Sequence, residues 1–249
     1  MPNHAQNAWV CTQCDHTYPC VDGVIDTLYG DPPPRTLAQW LMESDWVVRL
    51  YESRLWRRNP LFEWYAGISF QEEVREILRA ADLQPDNQVL DLACGSGLYS
   101  RVLARQVRRG RVVGVDISWP MLRHAVRRAA TERLDNLTFV RADALRLPFP
   151  DNAFDVVNCC GALHLFDDVD AVLAEMQRVL RPGGRMTAAV FRQRGDTQLS
   201  ARSAWLGVTR FVPDELLKMI GRAGFAEREI HHNRGGWMLV SSQKTRHPA

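Results

Sequence analysis

The sequence predicts an α/β protein built on a mainly parallel, Rossmann-like sheet, and three observations carry that reading. From residue 88 onward, strand and helix patterns alternate. The first strand runs directly into a glycine turn that opens a helix, in "VLDLACGSGLYS" (89–100). Acidic residues then close three successive strands, at Asp91, Asp116 and Asp143. Alternation of this kind requires parallel strands joined by crossover helices on both faces. Ligands in such sheets bind beyond the carboxyl ends of the strands.

The elements follow in order. Residues 1–35 form a short, turn-rich piece with three cysteines, ending in the stiff spacer "GDPPPR", where successive prolines cannot continue helix or sheet. "TLAQ" has capping-box form, with Thr36 and Gln39, and opens an amphipathic segment over 36–58 that places Leu37, Trp40, Leu41, Val47, Tyr51 and Leu55 at helical spacing. "SFQE" (69–72) repeats the pattern for a helix burying Val74, Ile77, Leu78 and Ala81. Residues 36–85 are therefore read as a helical region, and 86–249 as the sheet domain.

Within that domain, strand 88–92 leads to a helix over 98–108, stopped by Gly110. Strand 111–116 leads to a helix begun by Ser118 and Pro120. Strand 137–141 comes next, and the turn "PFPDNAFD" precedes strand 154–160. A helix from about 168 ends at "LRPGG", before strand 185–191. Pro213 and Asp214 start the last helix, and strands 225–231 and 236–242 flank "NRGG". No crossover helix fits in so short a loop, so these two strands form an antiparallel hairpin.

Composition bounds the function. The 249 residues are 46% hydrophobic and 24% charged with a net charge of +2, ordinary for a globular domain and unlike a nucleic-acid binder or a polyanion. Only two of the 31 basic residues are lysines, Lys218 and Lys244, a skew attributed to coding bias. No apolar run reaches the length of a membrane span and the N-terminus carries no signal-peptide core, so a cytoplasmic location is expected.

The glycine loop fits two cofactor classes. Gly95, Gly97 and Ser100 approximate a dinucleotide fingerprint; Asp91, Ala93, Gly95 and Gly97 approximate a loop for S-adenosylmethionine. Asp91 separates them, because a carboxylate at the first strand end repels a pyrophosphate but suits an ammonium group. Asp116 can accept from ribose hydroxyls in either class, and Asp143 can accept from an adenine amino group. Three acids around one loop are far more specific than the loop alone.

Residues 86–242 resemble the class I S-adenosylmethionine-dependent methyltransferases, nearest the ubiquinone/menaquinone-biosynthesis group. The segments that carry the resemblance are "VLDLACGSG", "GVDISWPML", "ADALRLPFPDNAFDVV", "ALHLFDD", "EMQRVLRPGG" and "FVPDELLKMIGRAGF". The resemblance implies a seven-stranded sheet of order 3-2-1-4-5-7-6. It implies that Asp91 and the backbone of Ala93, Cys94, Gly95 and Gly97 hold the methionine part, and Asp116 the ribose. Ile117 and Met121 would flank the adenine, with Asp143 and Ala144 at its polar edge. Ala93 departs from the usual glycine, and its methyl group fits only if φ there is negative.

Methyl transfer is an in-line displacement, so the protein mainly aligns the acceptor and excludes water. His164, just past strand 154–160, is the candidate general base. Cys159 and Cys160 point to opposite faces of that strand, so at most one reaches the pocket; Cys159 is counted with the cofactor contacts. The resemblance implies that the helical region 36–85 folds over the cofactor as a lid, and Tyr65, in "WYAGIS" (64–69), is a candidate partner for the methionine carboxylate. Trp40, Trp46, Trp56 and Trp64 are candidate linings of an apolar acceptor pocket.

"CTQCDHTYPCVDGVIDTL" resembles half of a zinc ribbon. Cys11, Cys14 and Cys20 with a badly spaced His16 fall short of four ligands, so no metal is expected. The expected partner is a small, largely hydrophobic acceptor such as a quinone, phenol or polyketide. The alternative is a ribosomal or transfer RNA substrate met by Arg101, Arg105, Arg108, Arg109, Arg123, Arg127, Arg128 and Arg133. Against it, the fourth strand ends in "NCCG", without a group to stack a base.

Overall fold

A computed structural model describes residues 8–10, 15–28, 30, 59–194, 201–203 and 207–246. The expected helix 36–58, with Trp40, Trp46 and Trp56, lies outside these residues, as do Cys11 and Cys14. Cys20, on the second strand, is a free thiol.

The sheet has ten strands: β1 (Ala8–Val10), β2 (Thr17–Val21), β3 (Val24–Asp26), β4 (Gln88–Leu92), β5 (Arg111–Asp116), β6 (Leu137–Arg141), β7 (Phe154–Cys160), β8 (Leu180–Phe191), β11 (Phe225–Arg234) and β12 (Trp237–Lys244). Their order is β1-β2-β3-β6-β5-β4-β7-β8-β12-β11. Renumbering from β4, the last seven run 3-2-1-4-5-7-6. The first three are an addition that the sequence reading set apart as an independent piece. Here β3 pairs parallel with β6, Val24 opposite Phe139 and Asp26 opposite Arg141, so the N-terminal strands extend the same sheet. Two further short strands, β9 (Ala201–Ser203) and β10 (Val208–Arg210), pair separately.

Among the described residues six helices accompany them: α1 (Pro60–Ala66), α2 (Phe70–Ala81), α3 (Leu98–Gln106), α4 (Trp119–Thr131), α5 (Val169–Val179) and α6 (Pro213–Arg222). Local chemistry sets their starts. Ser69 and Glu72 form the expected capping box on α2, and Ser118 accepts from the Met121 amide at the start of α4. Ile77 and Ala81 of α2 are buried, whereas Val74 and Leu78 are only partly so. The "RPGG" turn is drawn into a long β8, with an irregular register between Phe154 and Val156.

Side chains alternate across the sheet. One face packs Leu90, Val157, Cys159 and Ala188 against Val172, Leu173 and Met176 of α5 and Leu216 and Ile220 of α6. The other packs Cys160, Ala189 and Leu239 against Ile77 of α2 and Leu98 and Tyr99 of α3, and Phe139 against Leu122 and Ala125 of α4. The result is three layers, helix–sheet–helix, and the candidate site lies at the carboxyl ends of the parallel strands.

Candidate functional site

The glycine loop is held from three sides. Asp116 accepts from the Gly95 amide (2.7 Å) and the Ser118 amide (2.9 Å), tying the ends of β4 and β5 together. Arg101, buried in α3, donates to the Ser96 carbonyl (2.9 Å) and pairs with Glu132. Gly97 has φ +72, and a Cβ there would come within 3.0 Å of Ala125 and Phe139, so only glycine lets α3, α4 and β6 approach this closely. Gly95 differs: among the described residues, a Cβ on it would find only the Met121 sulfur, at 4.0 Å. Open space in front of Gly95, with Met121 opposite, is what a ligand running along the loop requires. Ser96 adds a buried hydroxyl with no hydrogen-bond partner among the described residues.

Ala93 stands at φ +53, in the left-handed region. The condition set from the sequence is therefore not met. Its methyl group costs roughly 1 kcal/mol relative to glycine.

Asp91 sits almost fully buried at one end of a polar row that crosses the sheet. It lies opposite Asn158 on β7, which lies opposite Thr187 on β8. Ser100 donates to one Asp91 oxygen (2.5 Å) and the Asn158 amide to the other (2.6 Å). The Asn158 carbonyl oxygen in turn accepts from Thr187 (2.8 Å) and Cys160 (3.0 Å). Burial pushes the Asp91 carboxyl up to about 6, against the pull of its two donors. Burial also raises Asp116 and the Cys94, Cys159 and Cys160 thiols. These cysteines are therefore packed thiols rather than nucleophiles.

Other candidates divide. Asp143 accepts from the Leu145 amide and leads into the buried Ala144, both directly after β6. Ile117 follows Asp116, and its carbonyl accepts from Arg141. Cys159 is a correction: its side chain is fully buried in the core on the face opposite Asp91, where the two-residue alternation of β7 places it.

Beyond β7 and β8 the chain gathers aromatic rings. His164, in the short 3₁₀ turn Leu163–Leu165, lies 4.2 Å from the Phe191 ring and 5.9 Å from Trp237. Phe62 lies 6.1 Å from Trp237, and Tyr65 lies 6.3 Å from Phe191. Tyr65 also packs on Gly236, where a Cβ would fall 2.2 Å from its ring. Its described contacts are thus with Phe62, Phe191 and the β11–β12 turn, and not with the glycine loop. Trp64 is corrected outright: it is 78% exposed, because α1 turns Phe62 and Tyr65 inward instead.

Sequence reading missed Glu73. This α2 carboxylate is 1% exposed and accepts from Tyr99 Oη and Trp237 Nε1, both at 2.9 Å. It couples the helix over the site to the turn after the loop and to the aromatic cluster. No local pattern marked it, since an acid in the first turn of a helix is ordinary N-terminal chemistry.

Comparison with known proteins bears on this geometry. Residues 89–184 match the family described as a methyltransferase domain. A demethylmenaquinone methyltransferase of Thermus thermophilus is 40% identical over 127 residues, covering 50% of this chain and 57% of that protein. One from Bacillus cereus is 32% identical over 160 residues, covering 63% of this chain and 67% of that protein. The chain belongs to the class I S-adenosylmethionine-dependent methyltransferases. A solved S-adenosylmethionine-dependent methyltransferase from Aquifex aeolicus superposes with a TM-score of 0.63 at 17% identity, over 80% of this chain and 98% of that one, which speaks for the fold alone. The chain spans little more than half the length of the Thermus methyltransferase. The cofactor of this methyltransferase family is S-adenosyl-L-methionine, and the loop fits it: open space at Gly95, a spare buried hydroxyl on Ser96 and carboxylates at three strand ends.

Proposed function

We propose that the protein transfers a methyl group from S-adenosylmethionine to a small, largely apolar acceptor with a phenol, enol or quinone-like ring. The observation that carries this reading is the convergence of His164, Phe62, Tyr65, Phe191 and Trp237 beyond β7 and β8, next to the strand ends bearing Asp91 and Asn158. The demethylmenaquinone methyltransferases among the relatives are named for a quinone-like substrate, which agrees with an aromatic-lined acceptor side.

S-adenosylmethionine supplies an already activated sulfonium methyl, leaving the chain to bind, align, exclude water and remove a proton. On the cofactor side, Asp91 would hold the ammonium, Asp116 the ribose, and Asp143 with Ala144 the adenine edge, with Ile117 and Met121 supplying the apolar flanks. On the acceptor side, each aromatic residue that buries about 150 Å² contributes several kcal/mol at about 25 cal/mol per Å². A ring clamped there is held against water, and the His164 imidazole takes the proton of a phenol or enol.

An RNA substrate has less support. Of the arginines expected to form a basic face, Arg101, Arg105 and Arg128 converge on Glu132, and Arg123 pairs with Asp22. Four of the eight arginines are thus drawn onto two carboxylates, which offset two of their charges and hold those side chains within the protein's own ion pairs.

The test is an assay of the purified protein with S-adenosylmethionine and demethylated quinols, simple phenols or transfer RNA, following methylated product by mass spectrometry. Methylation of a quinol or phenol is expected. His164→Ala should then lower turnover about 10²-fold with affinity for S-adenosylhomocysteine intact, as loss of a general base does. Methylation of RNA alone would overturn the proposal.

A further inference from the structure

The N-terminal strands end against the cofactor side of the sheet, and one residue carries that contact. Arg141, the last residue of β6, is 3% exposed. Its Nε donates to the Ile117 carbonyl (3.0 Å), and its Nη1 reaches the Asp26 carboxylate (3.5 Å) and the Gly30 carbonyl (3.3 Å). The guanidinium stacks over Trp119 at 4.9 Å. Its own carbonyl accepts from both the amide and the hydroxyl of Thr27 (3.0 and 2.8 Å). A second strut runs alongside: Asp22 pairs with Arg123, which lies over the same Trp119 ring at 5.3 Å.

Ile117 and Trp119 are not arbitrary anchor points. They flank Ser118, whose amide Asp116 holds while also holding the Gly95 amide. Displacement of the 117–119 backbone would therefore displace Asp116 and the loop. A guanidinium can span these groups because its donors form a planar fork; lysine cannot bond Ile117 and Asp26 in the same geometry. So buried a cation is tolerated only when paired.

We infer that Arg141 is a positioning residue for the adenosine end of the cofactor, and that the segment Val24–Leu28, with Gly30, works through it as part of the binding site. This rests on the S-adenosylmethionine reading of the glycine loop. Asp26 supplies the countercharge, Thr27 fixes the strand end, and the N-terminal strands hold the ribose and adenine contacts in register.

The experiment is calorimetric binding of two probes to the full chain: S-adenosylhomocysteine, and 5′-methylthioadenosine, which has the adenosine end without the amino acid. Arg141→Lys should weaken both by the same factor, about tenfold, the loss of one charge-assisted hydrogen bond. Asp26→Asn should weaken both by a smaller common factor, and the double variant should bind no worse than Arg141→Lys alone. Asp91→Asn provides the contrast, weakening S-adenosylhomocysteine while sparing methylthioadenosine. A general loss of stability would lower both affinities together with the urea midpoint, whereas a positioning role lowers them in protein that stays folded at the assay temperature. Should Arg141→Lys fail to fold, Asp26→Asn and Thr27→Val carry the test. Unchanged affinities in folded variants would overturn the inference while leaving the cofactor reading intact. Failure of the unaltered protein to bind either probe would overturn both.

Discussion

The two halves of the carboxyl edge are built differently. On the cofactor side, β4, β5 and β6 each end in a short local device: a glycine turn, an aspartate closing on backbone amides, or an aspartate opening a turn. On the side proposed for the acceptor, Phe62, Glu73, His164, Phe191 and Trp237 come from five separate places in the chain. The first half is a set of backbone geometries with side chains that serve them; the second is a cluster of side chains brought together by packing. Cofactor contacts should therefore yield to single polar substitutions with little loss of fold, while acceptor-side substitutions should act through stability as well as turnover.

Glu73 offers the sharpest way to break that contrast. Its replacement by alanine leaves the Tyr99 hydroxyl and the Trp237 indole N–H buried beneath α2 without their acceptor. The expected loss is about 2 to 4 kcal/mol, as two buried donors lose a charged partner, with Glu73→Gln recovering part of it. Urea unfolding measures this, and a loss under about 0.5 kcal/mol would show that α2 is not anchored there.

Next in size is Asp116→Ala, which removes the acceptor for the Gly95 and Ser118 amides together with the expected ribose contact. Binding of S-adenosylhomocysteine should weaken by about 1.5 to 3 kcal/mol, with a smaller change in unfolding free energy. If stability fell by more than affinity, the cofactor side would be no more separable from the fold than the acceptor side.

A smaller effect, set by pH, should appear at Asp91. Burial raises its folded value to about 6 from an ordinary 3.8, so between those values the native protein holds a proton that the unfolded chain releases. The contribution of Asp91 to ligand-free stability therefore falls as pH rises from about 4 to about 6. Cofactor affinity runs the opposite way, because an ammonium group requires the ionised carboxylate. Affinity for S-adenosylhomocysteine should weaken by roughly tenfold from pH 7 to pH 5, and Asp91→Asn should flatten that dependence. A profile unchanged in Asp91→Asn would assign the titration elsewhere.

The smallest expected change is at Ala93. Glycine relieves the left-handed backbone strain but loosens the unfolded chain, so Ala93→Gly should stabilise the protein by less than about 1 kcal/mol. A destabilised variant would mean that the alanine methyl contributes packing that outweighs its strain.

Much of the cofactor half was legible in the sequence because its information is local. Gly95 and Gly97 mark a turn that needs positive φ, and Asp91, Asp116 and Asp143 fall at strand ends that alternation of apolar residues locates. Ser69 and Ser118 mark helix starts through capping chemistry that acts over three residues, and Pro213 marks one through its fixed φ at the first helical turn. The same locality made the hairpin after Phe225 readable from the shortness of its turn.

What only the tertiary structure decided is everything that depends on which strands lie side by side. Asp91, Asn158 and Thr187 are ordinary polar residues until β4, β7 and β8 are placed in register and form one bonded row. Cys159 and Cys160 are adjacent in sequence, yet alternation sends the first into the core and the second to the face that carries the row. Trp64 reads like Tyr65 until the rotation of α1 exposes one and turns the other inward. The N-terminal strands looked separate because nothing within their own residues specifies a partner. Pairing of β3 with β6 joins residues more than a hundred positions apart, and a contact at that range is set by the packing of the whole sheet rather than by any pattern within reach of a local window.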